Sequence, residues 1–136
     1  MKFYELATLD TVIFGGPKAA PAIEAFVNAP DAKGRLLGAW GNDIGALNKV
    51  HLLRGFDSHE DLLAERERVL RSSNPFGCAD LLTGMSLDSY RPLDFLPPVE
   101  TGSFGPVYEI RTYRMKVNGL TPTMEKWEAA VPERLA

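Results

Sequence analysis

Residues 2–9 alternate along the chain and carry aromatic and aliphatic side chains, a period of two that predicts a β-strand. Val12, Ile13 and Phe14 either extend that strand or cover it, and Gly15-Gly16-Pro17 predicts a break. Ala19, Ala22, Ile23, Phe26 and Val27 then follow the i, i+3, i+4, i+7, i+8 stripe of a helix packed on one side. Pro21 is expected in the first turn of that helix, where a missing N–H does little harm, and Pro30 ends it. Residues 34–40 and 47–56 predict two strands, joined as a hairpin through the turn-rich residues 41–45. Ser58 with Asp61 three residues on resembles a capping box and starts a second helix. Leu62, Leu63, Arg66, Val69 and Leu70 mark its inner face, and Glu67 and Arg71 form an i, i+4 pair on its wet side. Phe76, Leu81 and Leu82 suggest a short helical piece after Asn74-Pro75, and residues 85–90 predict a fourth strand that reaches Phe95 at most.

The order for residues 2–95 is strand, helix, strand, strand, helix, strand. This is the split βαβ, ferredoxin-like α+β arrangement, an antiparallel sheet with both helices on one face. Leu36, Ala39, Trp40, Val50, Leu52 and Leu53 leave neither face of the hairpin plainly polar. A sheet that is apolar on both sides needs a second cover, and the usual cover is another copy of itself. A homodimer joined through the sheet face is therefore expected.

The first strand also returns late in the chain. Phe3-Tyr4-Glu5-Leu6-Ala7-Thr8-Leu9 reappears as Val107-Tyr108-Glu109-Ile110-Arg111-Thr112-Tyr113, at an offset of 107 − 3 = 104 residues. A period that long is a domain, not a solenoid unit. After the second copy, Leu120, Met124, Trp127 and Val131 share one helical face, with Thr121-Pro122 as its expected start. Residues 1–96 thus read as a complete domain, 97–106 as a Pro- and Gly-rich linker, and 107–136 as the opening strand and helix of an incomplete second repeat.

Composition narrows the function classes. Charged residues are 24%, hydrophobic residues 45% and the net charge is −3, an ordinary globular balance. No basic stretch supplies a nucleic-acid face, and no apolar run approaches the ~20 residues of a membrane span. Neither nucleic-acid binding nor membrane insertion is expected. The one cysteine, Cys78, excludes an internal disulfide and fits a reducing compartment, so a cytoplasmic chain is expected.

Several segments together resemble the NIPSNAP family of the dimeric α/β-barrel superfamily. They are Phe3-Tyr4-Glu5-Leu6-Ala7-Thr8, the string from Gly38 through Trp40 and Ile44-Gly45 to Leu47-Asn48, the strand end Leu52–Phe56, the helix with Arg66 and Arg68, and the restart Val107–Tyr113. The resemblance implies a ferredoxin-like domain that often occurs in tandem and a molecular function that is poorly defined, with mitochondrial and trafficking links in animals. Departures exist. Asn42-Asp43 stands where the family has Thr-Glu, and Leu52 and Arg54 occupy the family's His and Trp positions, with His51 one residue early. On a strand, one residue of displacement moves a side chain to the other face unless a bulge restores the register.

Candidate chemistry is thin. His51, in a strand, has the pKa range of a general base, but its ordinary reading is a hydrogen-bonded or solvent-facing side chain. Tyr4 and Asp43 are the other weak catalytic candidates, with strand packing and turn hydrogen bonding as their ordinary roles. Trp40, Asn42, Asn48 and Arg54 combine an apolar wall with polar groups, the makeup of a small-molecule pocket. Glu5 is read as a strand ion pair, and Arg66, Arg68 and Arg71 as a solvated ion-pair face. Neither histidine has Cys or His companions, so no metal is expected, and no cofactor motif is present. The leading expectation is a NIPSNAP-like binding or interaction protein. The alternative is a cofactor-free monooxygenase, cyclase or isomerase with its site inside the barrel.

Overall fold

A computed structural model describes residues 1–136. Its chain divides into two compact units, Met1–Pro92 and Leu93–Ala136. The first unit is built from β1 (Phe3–Thr11), α1 (Gly15–Val27), β2 (Arg35–Gly41), β3 (Lys49–Phe56), α2 (His59–Arg71) and β4 (Leu82–Tyr90), with two short 3₁₀ turns between α2 and β4. The four strands form one antiparallel sheet in the order β2-β3-β1-β4. This is the ferredoxin-like α+β fold expected from the order of elements.

Strand alternation divides the side chains between two faces. Ala7, Leu9 and Leu52 point to the helices and join Ala19, Ile23 and Val27 of α1 and Val69 of α2 in the core. Leu36, Val50, Met85 and Leu87 pack at its margin from the same side. The other face carries no helix of this unit and presents Tyr4, Leu6 and Thr8 of β1 with Gly55, Leu53 and His51 of β3 opposite them. So of the hairpin residues that suggested two apolar faces, Leu36, Val50 and Leu52 serve the helix side, and Trp40 and Leu53 the helix-free side. A register shift in β2 between Leu36 and Gly38 adds Leu37 to the helix-free face, where its side chain approaches Gly55.

Local sequence explains most boundaries, and the exceptions are informative. α1 begins at Gly15, so Gly15-Gly16-Pro17 is its first turn and not a break, and Pro21 lies inside the helix. α2 is capped as expected: Ser58 Oγ accepts the Asp61 N–H at 3.0 Å and the hydroxyl donates to Asp61 Oδ2 at 3.0 Å. Its inner face differs from the apolar pattern. Leu62, Glu65 and Val69 are buried, whereas Leu63 and Leu70 are exposed. A glutamate displaces leucine from the core position because the core offers it a cation.

That cation is Arg54, 1% exposed and surrounded by Glu5 and Glu65, themselves 0% and 1% exposed. Arg54 Nη1 donates to Glu65 Oε1 at 2.7 Å, and Nη2 donates to Glu5. Arg66 donates to Glu5 Oε2 at 3.0 Å and Arg68 to Glu65 Oε1 at 2.8 Å. Glu5 and Arg54 are direct cross-strand partners, as the strand ion-pair reading requires. Arg66 and Arg68, read as part of a solvated ion-pair face, instead reach inward to close the cluster. Arg71 alone stays outside, 2.6 Å from Glu67 on the wet side.

The second unit contains one helix, α3 (Leu120–Leu135), which starts two residues before the expected Pro122. The strand expected over residues 107–113 is not formed; these residues adopt no regular element and are exposed. A strand is defined by hydrogen bonds to a neighbour, and the sequence pattern alone provides none.

The buried cluster yields a stability prediction. Arg54→Met should lower the unfolding free energy by roughly 3–5 kcal/mol, because it leaves two buried carboxylates short of their shared cation. A urea midpoint that barely moves would show that Arg66 and Arg68 suffice to hold both carboxylates.

Candidate functional site

The sequence candidates separate into three places. Asn42, Asp43 and Asn48 belong to the β2–β3 connection, and with Trp40 they line a cleft of about 620 Å³. Phe14, Gly16, Pro17 and Ala20, from the turn before α1 and its first turns, form the opposite wall. Leu47 and Val50 add apolar surface, and Lys49 and Asp43 add charge. The connection is shaped by its own polar residues. Asn42 Nδ2 donates to Ala46 O at 2.8 Å. Asn48 takes a left-handed φ of 57°, which asparagine tolerates better than most residues, and its carbonyl accepts the Thr11 N–H at 2.8 Å. Both asparagines therefore build the cleft rim through turn chemistry.

His51 and Tyr4 belong to the helix-free face, not to this cleft. His51 stands opposite Thr8, with Nδ1 3.2 Å from Thr8 Oγ1, and opposite Trp40 on its other side. Trp40 lies over Gly38, where any β-carbon would collide with the indole, so glycine is required for that close approach. Tyr4 is four residues from Thr8 along β1, about 13 Å away at strand spacing. The catalytic trio of His51, Tyr4 and Asp43 is thus not assembled in one place.

Arg54 is in neither place. It points to the helix side and is consumed by Glu5 and Glu65, because it is three residues from His51 and so on the opposite face. Its assignment to the ligand pocket is corrected. Its apolar surroundings are aromatic: the guanidinium carbon is 5.4 Å from the Phe76 ring centroid and 5.8 Å from that of Phe56.

Phe14 was missed as a site residue. It holds φ at 59°, a left-handed conformation that is an outlier for a bulky side chain, and it is 77% exposed. Phe76 has a similar φ of 54°, but its ring is fully buried, 5.4 Å from Phe26. Burial offsets the strain at Phe76; within this unit nothing comparable offsets it at Phe14. The only hint in the sequence was an apolar run, Val12-Ile13-Phe14, just before a glycine pair.

No three His, Cys, Asp or Glu side chains gather in a way that would hold a metal ion, and no helix is long and apolar enough to cross a membrane. Cys78 is buried, and that burial, with Asp80 nearby, pushes its thiol pKa up and away from nucleophilic character.

Fold and cleft together define a ferredoxin-like domain with a small apolar-walled cavity at one end of its sheet. A family model described as NIPSNAP matches residues 4–95, and the chain belongs to the NIPSNAP family. An uncharacterized NIPSNAP domain protein from Burkholderia xenovorans shares this fold with a TM-score of 0.55 and 20% identity, covering 71% of this chain and 99% of that one. Protein Atu4242 from Agrobacterium tumefaciens gives a TM-score of 0.54 and 22% identity, covering 70% and 97%. At such identities the likeness is one of fold. No curated protein matches the chain.

His51 carries a pH prediction. Burial, then the Lys49 charge, lowers its pKa, and Asp10 opposes them. The folded value lies below the unfolded one of about 6.5, so folding favours the neutral ring. The associated stability is fully present above pH ~6.5 and is lost as pH falls through the folded pKa. An NMR titration of the imidazole should give a midpoint below 6.5, and His51→Gln should flatten the acid limb of the stability profile.

Proposed function

We propose that this chain is a non-enzymatic binding protein that holds an apolar small molecule in the cleft and works as a homodimer joined through the helix-free sheet face. The strained, exposed Phe14 carries the ligand reading. A left-handed backbone at a bulky residue costs roughly 1–3 kcal/mol and persists where a function uses it. Here the ring borders a cavity with Trp40, Pro17 and Leu47, all apolar. The volume falls within the usual range for small-molecule sites, and the apolar walls with a few polar groups match their makeup. The enzymatic alternative places its site inside the barrel; His51 and Tyr4 share the helix-free face but stand far apart along it, and Asp43 lines the cleft instead, so its three candidates do not converge. The single cysteine accords with the cytoplasm as the place of action.

The dimer reading is supported by the side chains on the face opposite α1 and α2. Leu6, Trp40 and Leu53 share it and are half-buried, beside the buried Leu37 and a Tyr4 that pairs with Tyr90 across β1 and β4. The polar groups Thr8, His51, Asp10 and Lys49 gather toward one end of the same face, and Lys49 and Asp10 are ion-paired there. A mixed surface of this kind is what a specific two-fold contact uses, with an apolar centre and a polar rim.

Two measurements test the reading. Phe14→Gly relieves the backbone strain, so it should raise the unfolding midpoint while weakening binding of the fluorescent apolar probe 8-anilinonaphthalene sulfonate at least about fivefold. Unchanged probe binding would remove the cleft as the ligand site. Leu53→Asp puts a charge in the middle of the proposed contact and should raise the dimer dissociation constant at least about a hundredfold in sedimentation experiments. A wild-type chain that sediments as a single subunit at micromolar concentration would end the dimer reading.

A further inference from the structure

The charges that line the cleft do not balance, and the imbalance bears on what the cleft can hold. Its lining contains two charged side chains, Lys49 and Asp43. Lys49 is ion-paired with Asp10 of β1, so its charge is already met within the sheet. Asp43 is exposed and enters no ion pair or side-chain hydrogen bond. The cleft therefore presents one uncompensated negative charge. α1 starts beside it, and the positive end of a helix attracts anions. Here that attraction is reduced: the Gly15 N–H donates to Val12 O at 2.8 Å, and Pro17 has no N–H to offer. Lys18, the nearest cation on that helix, is exposed and is not part of the lining.

The surroundings of Asp43 decide between kinds of cation. Ile44, its neighbour in the β2–β3 connection, is 93% exposed, and Leu47 of the same connection is 59% exposed and lines the cleft. Phe14 stands on the opposite wall and adds an aromatic side chain. No second carboxylate lines the cleft, and no group of acids or histidines gathers there. A hard metal ion takes several oxygen ligands and would find too few. An organic ammonium ion has other needs. It wants one anion for its charge and apolar or aromatic surface for the carbon atoms around it. Asp43 offers the first, and Phe14, Leu47 and Val50 offer the second.

We propose that the molecule held in the cleft is an amphipathic organic ammonium ion, with Asp43 meeting its charge and the apolar walls receiving its hydrocarbon body. This rests on the cleft being the ligand site and names the chemical class of the ligand. The apolar walls set how tightly any such body is held, and the lone carboxylate sets the preference for a cation over an anion of the same size.

The test uses the full-length chain with the neutral dye Nile red bound, and displaces the dye with benzyltrimethylammonium or benzylsulfonate at fixed ionic strength. The cation should compete at least about tenfold better than the anion. In Asp43→Asn that preference should shrink to about threefold or less, because the charge that sets it is gone. Equal competition in the wild-type chain, a preference for the sulfonate, or a preference untouched by Asp43→Asn would overturn the proposal. Displacement by neither ion would overturn it too, with the cleft still a site for neutral apolar molecules. Failure of the cleft reading looks different: Nile red would bind Phe14→Gly as tightly as the wild-type chain, and the proposal would fall with that reading.

Discussion

The first unit is organised around one buried guanidinium. Arg54 lies between the sheet and α2, where an unpaired charge would cost several kcal/mol. Two carboxylates meet it there, Glu5 from the neighbouring strand and Glu65 from the helix, and two further arginines complete them from the margin. This set of charges ties β1, β3, α2 and the β4 edge together. It also fixes the rotation of α2, because Glu65 must face inward; Leu63 and Leu70 are turned to solvent as a result. An apolar pair in place of the cluster would bury as much surface, but it would not specify which face of the helix is inside.

With the helix side so defined, the second consequence follows from the sheet's alternation. Every residue one step away from the core set belongs to the helix-free face: Leu6, Thr8, His51 and Leu53, joined by Trp40 over its glycine. The register shift in β2 places Leu37 there as well. The end of the sheet is treated differently. There the left-handed Asn48 and the Asn42–Ala46 hydrogen bond shape the β2–β3 connection, and the strained Phe14 shapes the approach to α1. The cleft is the space between them, so its walls come from two loops and a helix start that the sheet merely brings to one end.

Two phenylalanines in similar left-handed conformations differ in what offsets the strain. Phe76 is fully buried beside Phe26 and Arg54, so packing accounts for its conformation. Phe14 has no such cover in its own unit. The cleft it borders has apolar walls, one ion-paired lysine and an exposed aspartate. The proposed binding role rests on that arrangement.

The sequence by itself determined the order of elements, the ferredoxin-like topology and the family, because periodicity and capping are local and each is written in a few neighbouring residues. The Ser58–Asp61 cap and the Glu67–Arg71 pair were legible for that reason, as was the turn-rich character of the β2–β3 connection. Only the tertiary structure decided the fate of Arg54. Whether a strand arginine lines a pocket or anchors a core depends on which face turns toward the helices and on whether a carboxylate waits there. It likewise decided that His51 and Asp43 stand apart, that Glu65 outranks leucine for a core position, and that a segment spelling a strand forms none. Each of these is a question about a neighbour distant in the chain, and local pattern holds no record of such neighbours.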